Sequence, residues 1–288
     1  MKKNIFLLTA CAFYALQFTA CKKSDPAVIP PRTDIHLDST NSLGSHIVDK
    51  DGKTLYYFSN DVNGQSNCTG GCLTNWPVFA ADSTTTTFGA GLQAADFKTI
   101  LTSTGAKQTT YKGWPLYYYS PGGVQEAAGQ TTGEGVGNIW FVAKPNYSIT
   151  IANFQLTGAD GKNYLSTYAP GDGRTSYFSD DKGNTLYAFG RDSFLVNKFT
   201  KADFTNNSFW PIYETDNITV PSILDKTVFA VITFNGKKQL TYNGWPLYYF
   251  GGDAQTRGFN KGITIPPTLP VGSLWPIVNK TSAAAPKP

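Results

Sequence analysis

The sequence predicts a mainly β fold made by tandem duplication, with two related small β domains that each contain two aromatic-strand repeat units. Four aromatic runs indicate the repeat, at residues 55–58, 116–119, 186–189 and 247–250. The first and third runs start 131 residues apart, and so do the second and fourth. The repeating object is therefore a pair of unlike units.

The composition also favours β structure. Aromatic residues make up 14% of the 288 residues, and charged residues make up 15%, where about 25% charged residues is usual. Aromatic and β-branched side chains pack well on a pleated surface, and the Gly and Pro residues between the runs close tight turns. Removing Lys2 and Lys3 lowers the formal net charge from +4 to +2. Nucleic acid is not an expected partner, because phosphate binding needs a concentrated basic face.

Residues 1–20 have the layout of an export signal, in which Lys2 and Lys3 precede an uncharged apolar stretch. The stretch is shorter than the roughly 20 apolar residues that a membrane-spanning helix needs, so we expect its removal from the mature protein. Phe18-Thr19-Ala20-Cys21 resembles the lipobox of bacterial lipoproteins. Cys21 is therefore predicted to carry lipid.

Two alternatives to lipidation at Cys21 remain open. Leu8-Thr9-Ala10-Cys11 matches the same box, but cleavage there would leave a signal core of only about seven apolar residues, the low end of what export requires. A plain secretory signal followed by an incidental cysteine is the second alternative.

The predicted organisation places a lipid-anchored tether after the signal, then two domains and a tail. The expected ranges are residues 21–42 for the tether, 43–152 and 153–280 for the repeat domains, and 281–288 for a disordered tail. The N-terminal lipid would bind a membrane, which predicts an outer-membrane lipoprotein of the cell envelope, either periplasmic or surface-exposed. A second envelope protein or a small ligand would be its other partner.

Each half is predicted to open with a β-hairpin. Residues 46–48 and 54–59 flank an Asp-Lys-Asp-Gly turn in the first half, and residues 177–178 and 185–189 flank Asp-Lys-Gly-Asn in the second. Asp-Gly sequences of this kind favour the positive backbone angles that a tight hairpin needs.

An aspartate follows three of the four aromatic runs at the same distance, namely Asp61, Asp192 and Asp253, whereas the second unit has Gly122 there. We expect each aspartate to bond to backbone N–H groups two residues on and tie the strand end into a turn. A facing pair of carboxylates is also what glycoside hydrolysis uses. Recurrence at identical strand ends favours the turn role, so no catalytic residue is predicted.

All six tryptophans lie in repeat motifs. Four of them begin segments that are predicted to be partner strands, and the other two lie in Tyr-x-Gly-Trp-Pro, where Gly allows a turn and Pro orients the next strand. The second and fourth positions of each aromatic run share a face that is predicted to point into the core. The predicted motif residues are Tyr56, Phe58, Asp61, Trp76, Trp114, Tyr117, Trp140, Tyr187, Asp192, Trp210, Trp245, Tyr248, Asp253 and Trp275.

Together these motifs resemble the predicted bacterial lipoproteins of the secreted-repeat family, which carry a Tyr-x-(Phe/Trp/Tyr)-x-x-Asp motif. The matching positions are residues 52–61, 66–77, 108–117 and 140–145, so the resemblance is stronger in the first half. The family has no assigned activity, and the resemblance therefore implies location and fold organisation rather than a reaction. Members with a single pair of units imply that one pair is a self-sufficient domain, which favours two packed domains over a four-bladed propeller.

Cys68 and Cys72 remain once Cys11 has left with the signal and Cys21 has taken lipid. Beyond the cytoplasm the surroundings are oxidising, so the pair is predicted to form a disulfide. The alternative is a redox or copper-handling protein that uses the two sulfurs, with His46 as a candidate ligand. The mature chain would offer only two histidines and no Met, so such a site would lack ligands, and no cofactor is expected.

No Gly-x-Ser-x-Gly elbow or phosphate-binding loop is present, so an ordinary hydrolase is not indicated. Exposed Tyr and Trp rings could serve as platforms for sugars or apolar ligands, although core packing is the expected role of most of them. The sequence thus predicts a lipid-anchored envelope protein with a non-catalytic binding or structural role and an unknown molecular activity.

Overall fold

The computed structural model describes residues 33–82 and 84–288, and Thr33–Pro288 form one compact unit. The signal, Cys11, Cys21 and most of the tether lie outside the described residues. Within them the chain forms 14 β-strands, one short α-helix and seven short 3-10 helices, so the mainly β prediction is confirmed.

The first half contains seven strands, a short α-helix and four of the 3-10 helices. The strands are β1 (Ile35–Thr40), β2 (Gly44–Asp49), β3 (Tyr56–Phe58), β4 (Phe97–Leu101), β5 (Lys107–Tyr111), β6 (Trp114–Tyr117) and β7 (Trp140–Val142). The helix is α1 (Cys72–Asn75), and the 3-10 helices are Ser59–Asp61, Ala94–Asp96, Pro121–Gly123 and Val136–Asn138.

The second half contains the other seven strands and three 3-10 helices. The strands are β8 (Thr150–Thr157), β9 (Asn163–Tyr164), β10 (Arg174–Ser179), β11 (Tyr187–Ala188), β12 (Phe229–Phe234), β13 (Lys237–Tyr242) and β14 (Trp245–Tyr248). The 3-10 helices are Lys226–Val228, Gly251–Asp253 and Lys261–Thr264.

The two halves repeat one antiparallel topology. β1 pairs with β2, and β8 pairs with β10 in the same way. The main sheet has the strand order β4-β5-β6-β3-β7 in the first half, and β12-β13-β14-β11 follows the same order in the second. In the place of β7, Ile277 joins Tyr187 of β11 through a single bridge. This correspondence agrees with an internal duplication.

Two expected boundaries differ from the structure. The tether was expected to reach residue 42, but Ile35–Thr40 form β1, because Ile35 is buried and the segment completes a ladder with β2. The expected boundary between residues 152 and 153 falls inside β8, whose first residues pair with β10. The second half therefore begins before Thr150. Whether each half folds by itself stays a prediction.

Of the four tryptophan segments predicted to be partner strands, only that of Trp140 forms one. Trp140 is followed by Phe and lies in β7, whereas Trp76, Trp210 and Trp275 are followed by Pro. Those three segments pair only through single bridges at Val78, Ile212 and Ile277.

The Tyr-x-Gly-Trp-Pro motif makes a two-residue hairpin in each half. Tyr111 pairs with Trp114 across Lys112 and Gly113, whose φ angles are +47° and +82°. Asn243 and Gly244 adopt the same angles between Tyr242 and Trp245. Two consecutive positive φ values define the type I′ turn, whose twist matches that of the flanking strands.

The interior is continuous across the halves. The largest apolar cluster combines Tyr57, Trp114 and Phe141 of the first half with Phe178, Tyr187 and other side chains of the second. The second residue of each aromatic run is fully buried, as predicted, at Tyr56, Tyr117, Tyr187 and Tyr248.

The C-terminal tail contacts the second half, although residues 281–288 were expected to be disordered. Ala283 O accepts a hydrogen bond from Trp245 Nε1 at 2.8 Å. Ala285 N donates to Asn243 O, and Pro286 O accepts from Phe194 N. In the first half, Trp114 Nε1 donates instead to Asp181 O, in the hairpin turn of the second half, at 3.0 Å. The tail thus occupies on one half the place that a hairpin occupies on the other.

Candidate functional site

Four buried tyrosines, one from each aromatic run, donate hydrogen bonds to four carboxylates. Tyr117 donates to Asp61 at 2.6 Å, Tyr248 to Asp192 at 2.8 Å, and Tyr187 to Asp253 at 2.6 Å. Each pair joins the two units of its half, because the tyrosine and the acid come from different units. The acids are therefore cross-links between units.

The second oxygen of each aspartate accepts a backbone N–H. Asp61 accepts from Asn67 at 2.8 Å, Asp192 from Lys198 at 2.7 Å, and Asp253 from Lys261 at 2.9 Å. The donors follow the aspartate by six or eight residues rather than the expected two. The carboxylate therefore closes a longer loop than a simple turn at the strand end.

Glu126 supplies the carboxylate that Gly122 lacks. Tyr56 donates to Glu126 Oε1 at 2.6 Å, and Thr132 N donates to its other oxygen at 2.9 Å. Gly133 N donates to the Tyr56 hydroxyl, as Gly262 N does to that of Tyr187. A longer acidic side chain four residues later thus restores the fourth pair.

Burial dominates the electrostatics of these pairs. Desolvation raises the pKa of Asp61 to about 7 and those of Asp192 and Asp253 to about 6, against the lowering effect of their hydrogen bonds. Desolvation also raises the pKa of Tyr117 and of Tyr248 far above the ordinary value, so the proton stays on the phenol. Because both oxygens of each acid are engaged inside the fold, the arrangement suits cross-linking better than proton transfer to a substrate.

A column of four stacked or tilted rings lies in each half. Its centre is a pair of parallel indoles, Trp76 and Trp140 at 3.8 Å and Trp210 and Trp275 at 3.6 Å. The outer rings are Phe58 and Tyr119 in the first half and Phe189 and Phe250 in the second. All four indoles are buried, so they serve packing and do not form an open ligand platform.

A cavity of about 520 Å³ opens on the second half beside this column. Its lining includes Asn184 and Thr185 from the hairpin, together with Ser208, Pro211 and Ile212. Tyr249 and Phe250 contribute rings, and the rim continues through residues 251–255. The volume lies within the range of roughly 300–1,000 Å³ that is common for small-molecule sites.

Residues 39–80, 98–144 and 230–262 match the model of a protein family that is described as a secreted repeat of unknown function. The chain therefore carries three stretches of that secreted repeat. The matched secreted repeats contain the first, second and fourth aromatic runs, whereas the third run lies outside them. Two of the three matches fall in the first half, where the sequence resemblance is stronger. Neither a curated protein nor a solved structure matches the chain.

Most of the predicted motif residues lie in the interior of the fold. The tyrosines of the four pairs, their aspartates and the four stacked tryptophans are all buried. Trp114 and Trp245 lie at the two hairpins, where their indole N–H groups donate to Asp181 O and Ala283 O. The predicted repeat motif therefore consists mainly of residues that hold the units together.

Cys68 and Cys72 form a disulfide in the first matched repeat, as predicted. Cys68 is buried against the ring column, and the second half has Phe199 at the equivalent position, 4.8 Å from the Trp275 ring. His46 is fully buried in β2. Among the described residues, no group of three or more His, Cys, Asp or Glu side chains could hold a metal ion. Nothing here supports the copper or redox alternative.

Sequence reasoning missed Glu126 and the cavity in this secreted-repeat protein. Spacing could have found neither, because Glu126 lies outside the repeating distance and the cavity depends on how three separate segments meet. Across residues 33–82 and 84–288, every helix is too short or too polar to cross a membrane.

Proposed function

We propose that the protein is a lipid-anchored member of the cell envelope, held on the outer membrane through Cys21, with a non-catalytic binding or structural role. The lipobox-like sequence at residues 18–21 supports the anchor, and so does a family that is described as secreted and named for lipoproteins. The tether after Cys21 would hold the β body away from the lipid. Two or more acyl chains keep a protein on a membrane stably, where one does not.

The observation that carries the non-catalytic role is the engagement of the recurring acids. Asp61, Asp192 and Asp253 are the acidic residues that recur with the repeat, and each is buried with both oxygens hydrogen-bonded. A general acid or base must reach a substrate. These acids contact only other parts of the fold, so their hydrogen bonds hold the repeat units together.

Mass spectrometry of the mature N-terminus tests the anchor. We expect a chain that begins at Cys21 and carries acyl groups, and we expect it to enter the detergent phase in a phase-partition assay. Cys21→Ser should leave the protein in the aqueous phase, whereas Cys11→Ser should change nothing. Detergent partition that persists in Cys21→Ser, or that is lost in Cys11→Ser, would refute the assignment of Cys21.

A further inference from the structure

We propose that the cavity on the second half binds a neutral carbohydrate. This inference deepens the proposed binding role and rests on it. The cavity is lined by Asn184 and Thr185, by Ser208, Pro211 and Ile212, and by the aromatic residues Tyr249 and Phe250.

The charges around the cavity disfavour ionic ligands. No Lys, Arg or His belongs to the described residues that line it, so a phosphate or carboxylate would have no cation to bind. Its two acids already have partners. Glu214 forms an ion pair with Lys237 at 2.7 Å, and Asp253 accepts from Tyr187 at 2.6 Å. A cationic ligand would therefore compete with existing bonds, and a neutral ligand fits better.

The remaining wall chemistry has two kinds of surface. Pro211, Ile212 and the ring of Phe250 provide an apolar face, and Asn184, Ser208 and other neutral polar side chains provide donors and acceptors. A sugar ring has the same two parts, because its C–H face is apolar and its hydroxyls project from the edge. Aromatic rings supply large contact area to such a face, while a few placed polar groups set orientation.

The rim of the cavity holds backbone in an unfavourable conformation. Ala254 and Gln255 have φ angles of +50° and +53°, two consecutive left-handed residues of which neither is glycine. Such conformations each cost on the order of 1 kcal/mol or more and cluster at ligand clamps. Both residues line the cavity.

In the first half a lysine side chain bridges the equivalent position. At the position of Asn184 it has Lys53, whose Nζ donates to Glu126 O at 2.6 Å and so joins the hairpin to the loop that follows β6. That loop is longer in the first half. In the first half the loop runs from Ser120, whose N–H bonds to Asn75, to Gly129, whose N–H bonds to Gly52. In the second half the corresponding loop runs from Gly251, bonded to Phe209, to Gly258, bonded to Gly183, and it is two residues shorter. The duplication thus offers its own bridged reference.

The experiment is a screen of the full protein on an array of neutral and acidic oligosaccharides, followed by calorimetric titration with the best neutral ligand. The test variant is Asn184→Lys, which introduces the residue of the first half. Its backbone N–H can still bond to Asp180, as that of Lys53 does to Asp49. We expect binding at least tenfold weaker than that of the unchanged protein. The matched control, Lys53→Asn, should bind with unchanged affinity.

Gln255→Gly is a second variant that keeps the left-handed backbone and removes the rim side chain, and we expect at least fivefold weaker binding. Thermal melts verify that each variant folds. If Asn184→Lys does not fold, the affinity of Gln255→Gly tests the proposal instead. Binding of no neutral glycan, binding of acidic glycans alone, or undiminished binding by the folded variants would overturn the carbohydrate site. None of these results bears on the anchor, because lipid at Cys21 is measured independently.

Discussion

The four Tyr–carboxylate pairs are unusual among buried ionisable groups because the carboxylates have no lysine or arginine in salt-bridge contact within the described residues. Phenol and backbone N–H donors stabilise each carboxylate instead. Desolvation exceeds that stabilisation, which leaves the pKa of Asp61, Asp192 and Asp253 raised. The interior of each repeat therefore depends on pH in a defined direction.

We predict that the protein is more stable at pH 5 than at pH 7.5. The unfolded aspartates titrate near 3.9, whereas these folded ones titrate at about 6 to 7. Between about pH 4 and 7 the folded state therefore binds more protons, so the free energy of unfolding rises as the pH falls. The gain is about 1 to 2 kcal/mol for each acid.

Urea unfolding across this pH range measures the effect. Asp61→Asn should reduce the difference in the free energy of unfolding between pH 5 and 7.5 by the contribution of one acid, since an amide does not titrate. Asp225→Asn should leave the difference between pH 5 and 7.5 intact, because Asp225 is exposed and its pKa is lowered. Equal or lower stability at pH 5 would contradict the prediction.

At the residue scale, the sequence located the acids and tyrosines but did not connect them. Alternation along a strand predicts which side chains are buried, and Tyr56 and Tyr117 are buried accordingly. The partner of a tyrosine hydroxyl depends on how two units meet, which spacing along one chain does not contain. The sequence shows that the second unit has Gly122 in place of an aspartate. That Glu126 bonds to Tyr56 instead depends on the path of the intervening loop, which the sequence pattern does not give.

At the scale of elements, the turn at Gly113 packs against the side chain of Arg257, which is distant in the sequence. A methyl group added there would overlap the guanidinium of Arg257, whereas Gly105 has the same φ of +82° with open space around it. Both positions strain any non-glycine residue, and only one is crowded.

We predict that Gly113→Ala lowers the free energy of unfolding by about 1 to 2 kcal/mol more than Gly105→Ala. Gly105→Ala carries only the conformational cost, which is about 1 kcal/mol, and Gly113→Ala adds displacement of Arg257. Chemical denaturation of the two variants side by side is the measurement. Equal losses would show that Arg257 moves aside without cost.

The disulfide between Cys68 and Cys72 should contribute about 2 kcal/mol, as expected for a loop of this length in the chain-entropy model. We predict a lower melting temperature when a reductant is added, and the double variant Cys68→Ala, Cys72→Ala should match the reduced protein. The reductant should not affect that variant. Two reactive thiols in the untreated protein would show that the disulfide is absent.

The elements were predictable to different degrees. The Tyr-x-Gly-Trp-Pro hairpins follow from local turn chemistry, and both form. The sequence assigns β1 to the tether, because its few apolar residues gain their burial only from β2 and from the bridge to Phe88. The pairing of β8 across the expected boundary is likewise tertiary, since the repeat motif does not include it.

At the scale of the whole molecule, Arg257 joins the two halves. Its guanidinium donates to Val62 O at 3.0 Å and to Lys112 O and Lys182 O at 2.6 Å. It also lies over the Trp114 ring, 4.9 Å from the centroid. Burial lowers its pKa to about 10, so it remains charged at neutral pH. One side chain thus satisfies three backbone carbonyls from separate segments.

We predict that Arg257→Met lowers the free energy of unfolding by about 3 kcal/mol, since three backbone carbonyls lose their donor at about 1 kcal/mol each. Arg174→Met is the control, because Arg174 is exposed and donates to one carbonyl. That change should cost less than about 1 kcal/mol. Calorimetry should also show broader unfolding in Arg257→Met if the halves then melt separately, whereas an unchanged transition would refute the joining role.

Removal of residues 280–288 should destabilise the second half and uncover Trp245. The tail accepts hydrogen bonds from Tyr242, Asn243 and Trp245, so we expect a loss of about 3 kcal/mol at about 1 kcal/mol per bond. Tryptophan emission should shift to longer wavelength. A chain that lacks only residues 287–288 should behave like the intact protein, because these bonds end at Pro286.

The Trp114 and Trp245 hairpins present the same indole donor to two unrelated partners. On the first half the acceptor is Asp181 O, in the hairpin turn of the second half, and on the second half it is Ala283 O. Because each partner offers a backbone carbonyl, the hairpin does not require a particular side chain opposite its tryptophan. The same local sequence can therefore bind different segments of chain at equivalent positions of a duplicated fold.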